Sequence, residues 1–149
     1  MAGATIAVAS DHAGFDLKEV LKRDLQAAGH AVLDLGTDSA ASVDYPDFGA
    51  AMADAIASGR ARRGVLVCGT GIGISIAANR HPKVRAAVAH DVTSARLSRE
   101  HNDANVVAFG SRLIGPETAR EALKVFLATE FEGGRHVGRV AKLSKEPTR

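Results

Sequence analysis

Five short apolar segments alternate with amphipathic segments along this chain, and the alternation is what most constrains its fold. The predicted strands are almost continuous apolar runs, at Thr5–Ala9, Ala31–Leu35, Val65–Cys68, Val84–Ala89 and Val106–Phe109. Strands that are apolar on both faces need cover on both faces, and helices between successive strands supply it. We therefore predict the α/β class: a three-layer Rossmann-like fold with a five-stranded parallel sheet.

The segments between the strands carry the signals of helices. Helices are predicted at Phe15–Ala28, Pro46–Ser58, Ile72–Asn79, Val92–Glu100 and Pro116–Ala128. The remainder, from about Glu132 to Arg149, is basic; it is expected to be irregular at first and helical from Val137. Since 149 residues contain no repeat, low-complexity tract or interdomain linker, we predict one domain over residues 1–149.

Composition argues against several classes of protein. Nineteen basic and 17 acidic residues give a net charge of only +2, with 4% aromatic residues, which does not indicate nucleic-acid binding. No apolar run approaches the roughly 20 residues of a membrane helix, and the first residues lack the pattern of a signal peptide. A single cysteine cannot form an intramolecular disulfide and is typical of the cytoplasm, where we expect the protein to be located.

Polar side chains follow four of the predicted strands at the point where each strand ends. Ser10-Asp11-His12, Cys68-Gly69-Thr70, His90-Asp91 and Gly110-Ser111-Arg112 occupy these positions. Because ligands of parallel α/β sheets bind at the carboxyl ends of the strands, this edge is where we expect the chemistry.

The loop Cys68-Gly69-Thr70-Gly71-Ile72-Gly73 is the strongest single motif at that edge. Alternating glycines let several backbone N–H groups converge on an anion or a developing oxyanion, and the thiol lies just before a predicted helix. Gly69, Gly71 and Gly73 have GxGxG spacing, so the dinucleotide fingerprint fails at Ile74. A lone cysteine is also commonly a small buried apolar residue.

Other cofactor and catalytic motifs are missing from the sequence. It has no Gly-Lys-Ser/Thr phosphate loop, no GxSxG nucleophile elbow, and no HExxH, CxxC or locally spaced His/carboxylate cluster. We therefore expect neither a cofactor nor a metal ion.

Several candidate residues also have a simpler structural explanation. Asp11 and His12 precede a helix that either could cap, and His101 ends a predicted helix, where a histidine favours the helix dipole. Arg135 and Arg139 resemble a solvated basic tail, although guanidinium groups at i and i+4 also suit a phosphate.

Taken together, six motifs resemble the type B ribose-5-phosphate isomerases in the same order. They are Ser10-Asp11-His12-Ala13-Gly14, Asp44-Tyr45-Pro46-Asp47, Cys68 to Gly73, Ser98-Arg99-Glu100-His101-Asn102, Phe109-Gly110-Ser111-Arg112 and Gly133-Gly134-Arg135-His136. The resemblance runs from about Thr5 to Val140. The wider family includes galactose-6-phosphate, allose-6-phosphate and tetrose-phosphate isomerases.

The resemblance implies a cofactor-free interconversion of ribose 5-phosphate and ribulose 5-phosphate through an enediolate. It implies that Cys68 is the base, that His101 is the acid/base of ring opening, and that Thr70 lies beside the thiol. Ile74 occupies the place where one branch of the family has a glutamate base. The implied substrate contacts are Asp11, His12, Tyr45, Gly69, Gly71, Ile72, Gly73, Asn102, Arg112, Arg135 and Arg139.

The resemblance also implies a homo-oligomer, a dimer or a tetramer, in which each site combines the glycine loop of one subunit with the histidine and arginines of another. The basic segment from about residue 132 to 149 is then expected to pack on the partner subunit. Galactose-6-phosphate isomerases divide these parts between two kinds of chain, whereas this chain holds both. Three alternatives stay open: the same chemistry on another sugar phosphate, a nucleotide-binding module, and a non-catalytic partner subunit.

Overall fold

A five-stranded, all-parallel sheet forms the centre of the protein, as predicted. The computed structural model describes residues 4–146, so the ends of the predicted domain and the last three residues of the predicted basic segment lie outside the described residues. The strands are β1 (Thr5–Ser10), β2 (Ala31–Asp34), β3 (Arg63–Cys68), β4 (Ala86–Val88) and β5 (Val106–Gly110). Their order across the sheet is β2-β1-β3-β5-β4.

Helices connect the strands and cover both faces of the sheet. They are α1 (Phe15–Ala27), α2 (Tyr45–Ala57), α3 (Ile72–Ala78), α4 (Val92–Asn102), α5 (Pro116–Ala128) and α6 (Val137–Leu143). A short 3-10 turn, Gly134–His136, precedes α6, so the prediction of a helix from Val137 is confirmed.

Alternate side chains of the strands point to opposite faces of the sheet and belong to two separate hydrophobic cores. One face of the sheet, with Val8, Val67 and Phe109, packs against α1, α4 and α5 through residues such as Leu21 and Phe126. The other face packs mainly against α2 and α3, through residues that include Met52 and Ile74. Cys68 belongs to this second core. The thiol therefore lies on the side of the sheet from which the glycine loop enters α3.

Most predicted element ends are correct to within two residues, and β4 differs most. We predicted Val84–Ala89, but the strand covers only Ala86–Val88. The amide side chain of Asn105 accepts a hydrogen bond from the Arg85 N–H, and the Val84 N–H turns back to the His81 carbonyl. A long-range side-chain hydrogen bond and a local turn thus replace the ladder at the start of this edge strand.

A partly buried ion cluster fixes the chain where β2 ends. Lys18 and Lys22 donate to the Asp34 carboxylate, at 2.8 and 2.9 Å, and the Gly36 N–H donates to it at 2.9 Å. Burial raises the pKa of Asp34, but these hydrogen bonds outweigh burial and hold the pKa below its usual value of 3.8. Ser10 and Gly36 are joined by a backbone hydrogen bond of 2.8 Å, so the cluster also sets the start of the loop beside β1.

Candidate functional site

The polar groups predicted at the carboxyl edge of the sheet are brought together by the strand order. From β1 the chain runs to β2 on one side and then crosses to β3 on the other, so the carboxyl ends of β1 and β3 flank the switch point. Such a crevice is where α/β sheets bind ligands. The Asp11 N–H donates to the Val67 carbonyl at 3.3 Å, and the Ser111 N–H donates to the Cys68 carbonyl at 2.9 Å. The segments after β1, β3 and β5 therefore lie side by side.

The thiol of Cys68 lies directly under the glycine loop. Cys68 is only 4% exposed, and the Gly71 N–H donates to its Sγ atom at 3.1 Å. Gly71 has a φ of +76°, in the region that favours glycine, and a Cβ atom there would lie 2.9 Å from the carbonyl carbon of Phe109. The loop glycine is thus needed both for its backbone angle and for close approach to β5. The positive end of an amide dipole consequently points at the sulfur.

The outer side of the glycine loop is exposed and bordered by Tyr45. The Ile72 N–H donates to the Thr70 Oγ1 atom at 3.2 Å, and Ile72 is 49% exposed. A Cβ atom on Gly73 would lie 2.5 Å from the ring of Tyr45, so only glycine lets the ring pack there. Tyr45 itself is 43% exposed at the start of α2. Ile74, in contrast, is fully buried, so an apolar core side chain occupies the place of the alternative carboxylate base.

Asp11 and His12 are both fixed by backbone groups. The buried Asp11 carboxylate accepts the Gly14 N–H at 3.0 Å in the turn before α1, but the N-cap residue of α1 is Gly14 and not Asp11 or His12. The Val43 N–H donates to the His12 Nδ1 atom at 3.1 Å. The same Nδ1 atom lies 3.2 Å from the Val43 carbonyl, so both backbone groups of Val43 contact this side of the ring. The loop between β2 and α2 therefore orients this histidine.

Arg112 places a cation over the glycine loop. Its backbone N–H donates to the Gly69 carbonyl at 3.0 Å, and its Nη1 atom would lie 3.2 Å from a Cβ atom built on Gly69. The neighbouring Ser111 hydroxyl donates to the Ala13 carbonyl at 2.8 Å, which ties the end of β5 to the segment after β1. A guanidinium group thus lies beside the loop amides, an arrangement that suits a phosphorylated or oxyanionic ligand.

Asp91, of the remaining pair His90-Asp91 at this edge, has a structural explanation. The Asp91 carboxylate accepts the Ser94 N–H and caps α4. This hydrogen bond and that of the Ser94 hydroxyl hold the pKa of Asp91 below its usual value. We assign Asp91 to the helix cap.

The other predicted site residues lie at the opposite edge of the sheet. Helix α4 begins after the carboxyl end of β4 and ends before the amino end of β5, which places His101 and Asn102 at the amino edge. Because the five residues of β5 are separated by four steps of ~3.3 Å, the two edges are roughly 13 Å apart. Within one chain the fold therefore does not bring His101 to Cys68.

The segment after α5 returns to the end of α4 and carries Arg135 and Arg139, both exposed, to the same edge. The Glu132 N–H donates to the Glu100 carbonyl at 3.1 Å. The His136 ring stacks on the His101 ring, with centroids 4.6 Å apart and planes 19° from parallel. Part of the basic segment is thus packed on its own chain, whereas its predicted packing on a partner stays a prediction.

Sequence reasoning missed Glu132 and named His136 only as part of the motif Gly133-Gly134-Arg135-His136, although both lie close to His101. Their ligand atoms and those of His101 all lie within 4.8 Å of one another. The sequence signal was the i, i+4 spacing of Glu132 and His136, which places two side chains on one side of a turn. The third member, His101, is distant in sequence, so no local motif could reveal the cluster.

Arg99 supports this end of α4 from inside. It is 2% exposed, and its guanidinium donates to the carbonyls of Thr129 and Ala104 and to the Asp103 carboxylate, at 3.1, 2.7 and 2.8 Å. A buried cation with this set of acceptors is satisfied. Its role is to hold the segment that follows α5 against the end of α4, two residues from His101.

One cavity lies away from both groups of predicted site residues. It has a volume of about 680 Å³ and lies between α1 and α5, where Asp24 and Arg120 form an ion pair with a shortest distance of 2.6 Å. None of the predicted site residues lines it. We do not assign it to the chemistry of the carboxyl edge. Over residues 4–146, no helix is long and apolar enough to cross a membrane.

Comparison with known proteins identifies the family. Residues 6–143 match the family described as Ribose/Galactose Isomerase. The chain belongs to this family. It is thereby placed among the isomerases, and the resemblance found in its six motifs is confirmed.

Individual relatives of this isomerase agree over nearly its whole length. Ribose-5-phosphate isomerase B of Escherichia coli is 46% identical over 139 residues, which cover 93% of each chain. The D-erythrulose-4-phosphate isomerase of Pectobacterium atrosepticum is 43% identical over 140 residues, covering 93% of this chain and 92% of the relative. The solved structure of ribose-5-phosphate isomerase B from Clostridium thermocellum superposes with a TM-score of 0.93 at 48% identity, over 94% of this chain and 95% of that one.

Proposed function

We propose that this isomerase interconverts ribose 5-phosphate and ribulose 5-phosphate, with Cys68 as the base and without a cofactor. The Cys68 thiolate takes the proton from C2 of the open-chain aldose and returns it to C1, while the hydroxyl proton moves from O2 to O1. The observation that carries the proposal is the Gly71 N–H donated to Sγ at 3.1 Å. A sugar bound to the amides of this loop can place its C2–H bond next to the Cys68 sulfur.

The loop amides act on the charge that develops on the enediolate oxygens. Residues 69–73 lie beside the thiol, with two glycines that cannot be replaced without collision. A preorganised donor of this kind contributes about 3 kcal/mol to the transition state in acyl-transfer enzymes. Thr70 lies on the exposed side of this loop, and Asp11, His12 and Tyr45 border the crevice where the sugar would bind.

We further propose that each site is built from two copies of the chain. Cys68 and His101 lie at opposite edges of the sheet, so the acid/base proposed for ring opening must come from a second subunit. The same second subunit would bring Asn102, Arg135 and Arg139, which we assign to the substrate and its phosphate together with Arg112. The positions of Cys68 and His101 at opposite edges of one chain support a shared site. The homo-oligomer itself is part of the proposal.

Turnover of four-, five- and six-carbon sugar phosphates tests the substrate and the base together. Cys68→Ala is expected to lower kcat by about 10²–10⁴-fold, the usual contribution of a general base, while Cys68→Ser controls for the volume of the side chain. An alanine variant with full activity would remove the thiol from the mechanism. The Pectobacterium relative makes erythrulose 4-phosphate the second candidate substrate. A higher kcat/KM on that four-carbon substrate would favour it.

Mixing two inactive variants tests whether the site is shared. Cys68→Ala and His101→Asn chains are unfolded together and refolded, so that a two-fold dimer contains both kinds of chain in half of its copies. Each mixed dimer then has one intact and one doubly defective site, and the mixture recovers about a quarter of the wild-type rate. Sites contained within single chains would recover no activity. Replacing Arg135 or Arg139 by Met should chiefly raise KM if they hold the phosphate.

A further inference from the structure

The cluster of His101, Glu132 and His136 has the composition of a metal site, and the proposed reaction uses only its first member. The three ligand atoms lie within 4.8 Å of one another. His136 is 6% exposed, and among the described residues its Nε2 atom has no hydrogen-bond partner. The Glu132 Oε1 atom lies 3.7 Å from it, beyond hydrogen-bonding distance. A buried ring nitrogen is therefore left facing a carboxylate without a bond to it.

We propose that these three side chains bind Zn²⁺ and that the bound ion inhibits the isomerase. Two imidazoles and one carboxylate form a ligand set that zinc uses when it leaves a fourth position open. Zinc bonds of ~2.0–2.2 Å in a tetrahedron put ligand atoms roughly 3.4 Å apart, close to the 3.7 Å found between His136 and Glu132. His101 has to close the larger part of the gap. His101 also has to turn out of its stack on His136, because a metal ion lies close to the plane of each imidazole that binds it and two near-parallel stacked rings share no such position.

The backbone around the cluster limits how far the ligands can separate. The Glu132 N–H is bonded to the carbonyl of Glu100, the residue before His101. The buried Arg99 guanidinium holds the Thr129 carbonyl, three residues before Glu132. Both ends of the cluster are thus tied together by main-chain contacts. The Glu132 side chain is 54% exposed and can adjust without disturbing the core.

Some groups beside the cluster favour a cation, and the arginines proposed to hold the phosphate oppose it. His101 lies in the last turn of α4, where the negative end of the helix dipole stabilises positive charge. The Glu132 carboxylate faces the cluster directly, and the Arg99 charge is paired with Asp103 at 2.8 Å. Arg135, adjacent to His136, is exposed and so opposes the ion from solvent.

Inhibition rests on the proposed function, because the His101 imidazole would serve both ring opening and metal binding. A metal bound to His101 occupies the nitrogen lone pair that ring opening requires. The ion and the reaction therefore exclude each other. Zinc would also tie down His136, next to the arginines proposed to hold the phosphate.

Zinc binding is measured directly, by equilibrium dialysis and by calorimetry, in a Cys68→Ala chain so that the thiol cannot bind the metal. We expect one Zn²⁺ per chain, with Kd weakened at least ~10-fold when His136→Gln or Glu132→Gln is added. His81→Gln is the matched control, since it removes a histidine outside the cluster. A Kd unchanged by both cluster substitutions, or no binding by the Cys68→Ala chain, would overturn the site.

Thermal unfolding separates metal binding from damage to the fold. In the Cys68→Ala background, a zinc concentration of ~100 times Kd is expected to raise the melting temperature by several degrees, and the rise disappears in the His136→Gln chain. The melting temperatures of both chains are first measured in the presence of a chelator. If the His136→Gln chain is correctly folded, its melting temperature there is close to that of the Cys68→Ala parent. A rise of the same size in that variant would place the ion elsewhere.

Inhibition is then tested with the thiol present. Zinc should inhibit the wild-type isomerase, and a chelator should restore its activity. The Glu132→Gln variant should need at least ~10-fold more zinc for half-inhibition, with the rate of each chain expressed relative to its own metal-free rate. Equal half-inhibition in both chains would overturn the regulatory part. Zinc binding without any isomerase activity would instead count against the proposed function and leave the metal site in place.

Discussion

Replacing Gly71 by alanine tests the link between the glycine loop and the packing of the sheet. At a φ of +76° alanine costs ~1–2 kcal/mol relative to an ordinary backbone angle. Its Cβ atom would also lie 2.9 Å from the carbonyl carbon of Phe109, a main-chain atom of the interior strand β5 that cannot rotate away. Overpacking of this kind costs ~1–3 kcal/mol. Gly71→Ala should therefore lower the free energy of unfolding by about 2–5 kcal/mol.

Gly59 offers a matched control for the backbone angle. Its φ is +79°, but a Cβ atom built there meets nothing within 4 Å. Gly59→Ala should thus show the conformational cost alone, ~1–2 kcal/mol, partly offset because alanine also restricts the unfolded chain. The difference between the two variants, about 1–3 kcal/mol, measures the collision with β5.

Urea unfolding at a single protein concentration measures both values, and thermal unfolding should separate the variants by ~2–4 °C per kcal/mol. The two substitutions also differ in their expected effect on activity. Gly71→Ala displaces the N–H that is bonded to the Cys68 Sγ atom and should lower kcat, whereas Gly59 lies far from the loop in sequence and at the end of α2. Equal destabilisation by the two substitutions would refute the packing argument.

Three further perturbations follow from buried or crowded groups. Because the pKa of Asp34 is depressed in the folded state, its contribution to stability is present above pH ~4 and is lost as the pH falls through the folded value. The free energy of unfolding should therefore decline less steeply with acid in Asp34→Asn than in the wild type, as measured by urea unfolding at each pH. The same variant should be less stable by about 3 kcal/mol near neutral pH, since it removes an ion-pair partner from the buried Lys18. Arg99→Met should cost about 3–5 kcal/mol of unfolding free energy, because it leaves buried acceptors without donors; a loss under ~1 kcal/mol would contradict that role. Gly73→Ala should push the Tyr45 ring aside and raise KM. The melting temperature should change by only a few degrees, because that ring is exposed and free to move. An unchanged KM would argue against Tyr45 as part of the crevice.

The fold followed from local patterns. Apolar runs bounded by glycine and proline located all five strands, and the start of α5 at Pro116 and that of α6 at Val137 were predicted to the residue. The exceptions lie at element ends. Asn105 terminates the ladder at the start of β4 from a distant position, and no periodic pattern contains that information.

The candidate site was predictable only in part. The carboxyl edge could be located because parallel strands all end on one side, which places Cys68, Asp11 and Arg112 on the same edge of the sheet whatever the strand order. Which strands flank the crevice required the order β2-β1-β3-β5-β4, since several orders satisfy the same alternation. The proximity of Glu132 and His136 to His101 required the return of the chain after α5.

The sequence by itself determined the α/β class, the five strands, the glycine loop after Cys68 and, through six ordered motifs, the isomerase family. These depend on residue type at short spacing, where the backbone has few choices. Only the tertiary structure decided that the Gly71 N–H points at the thiol, that His101 lies at the other edge of the sheet, and that it is stacked on His136. Those contacts join residues distant in the chain, and their geometry is set by the packing of helices on the sheet.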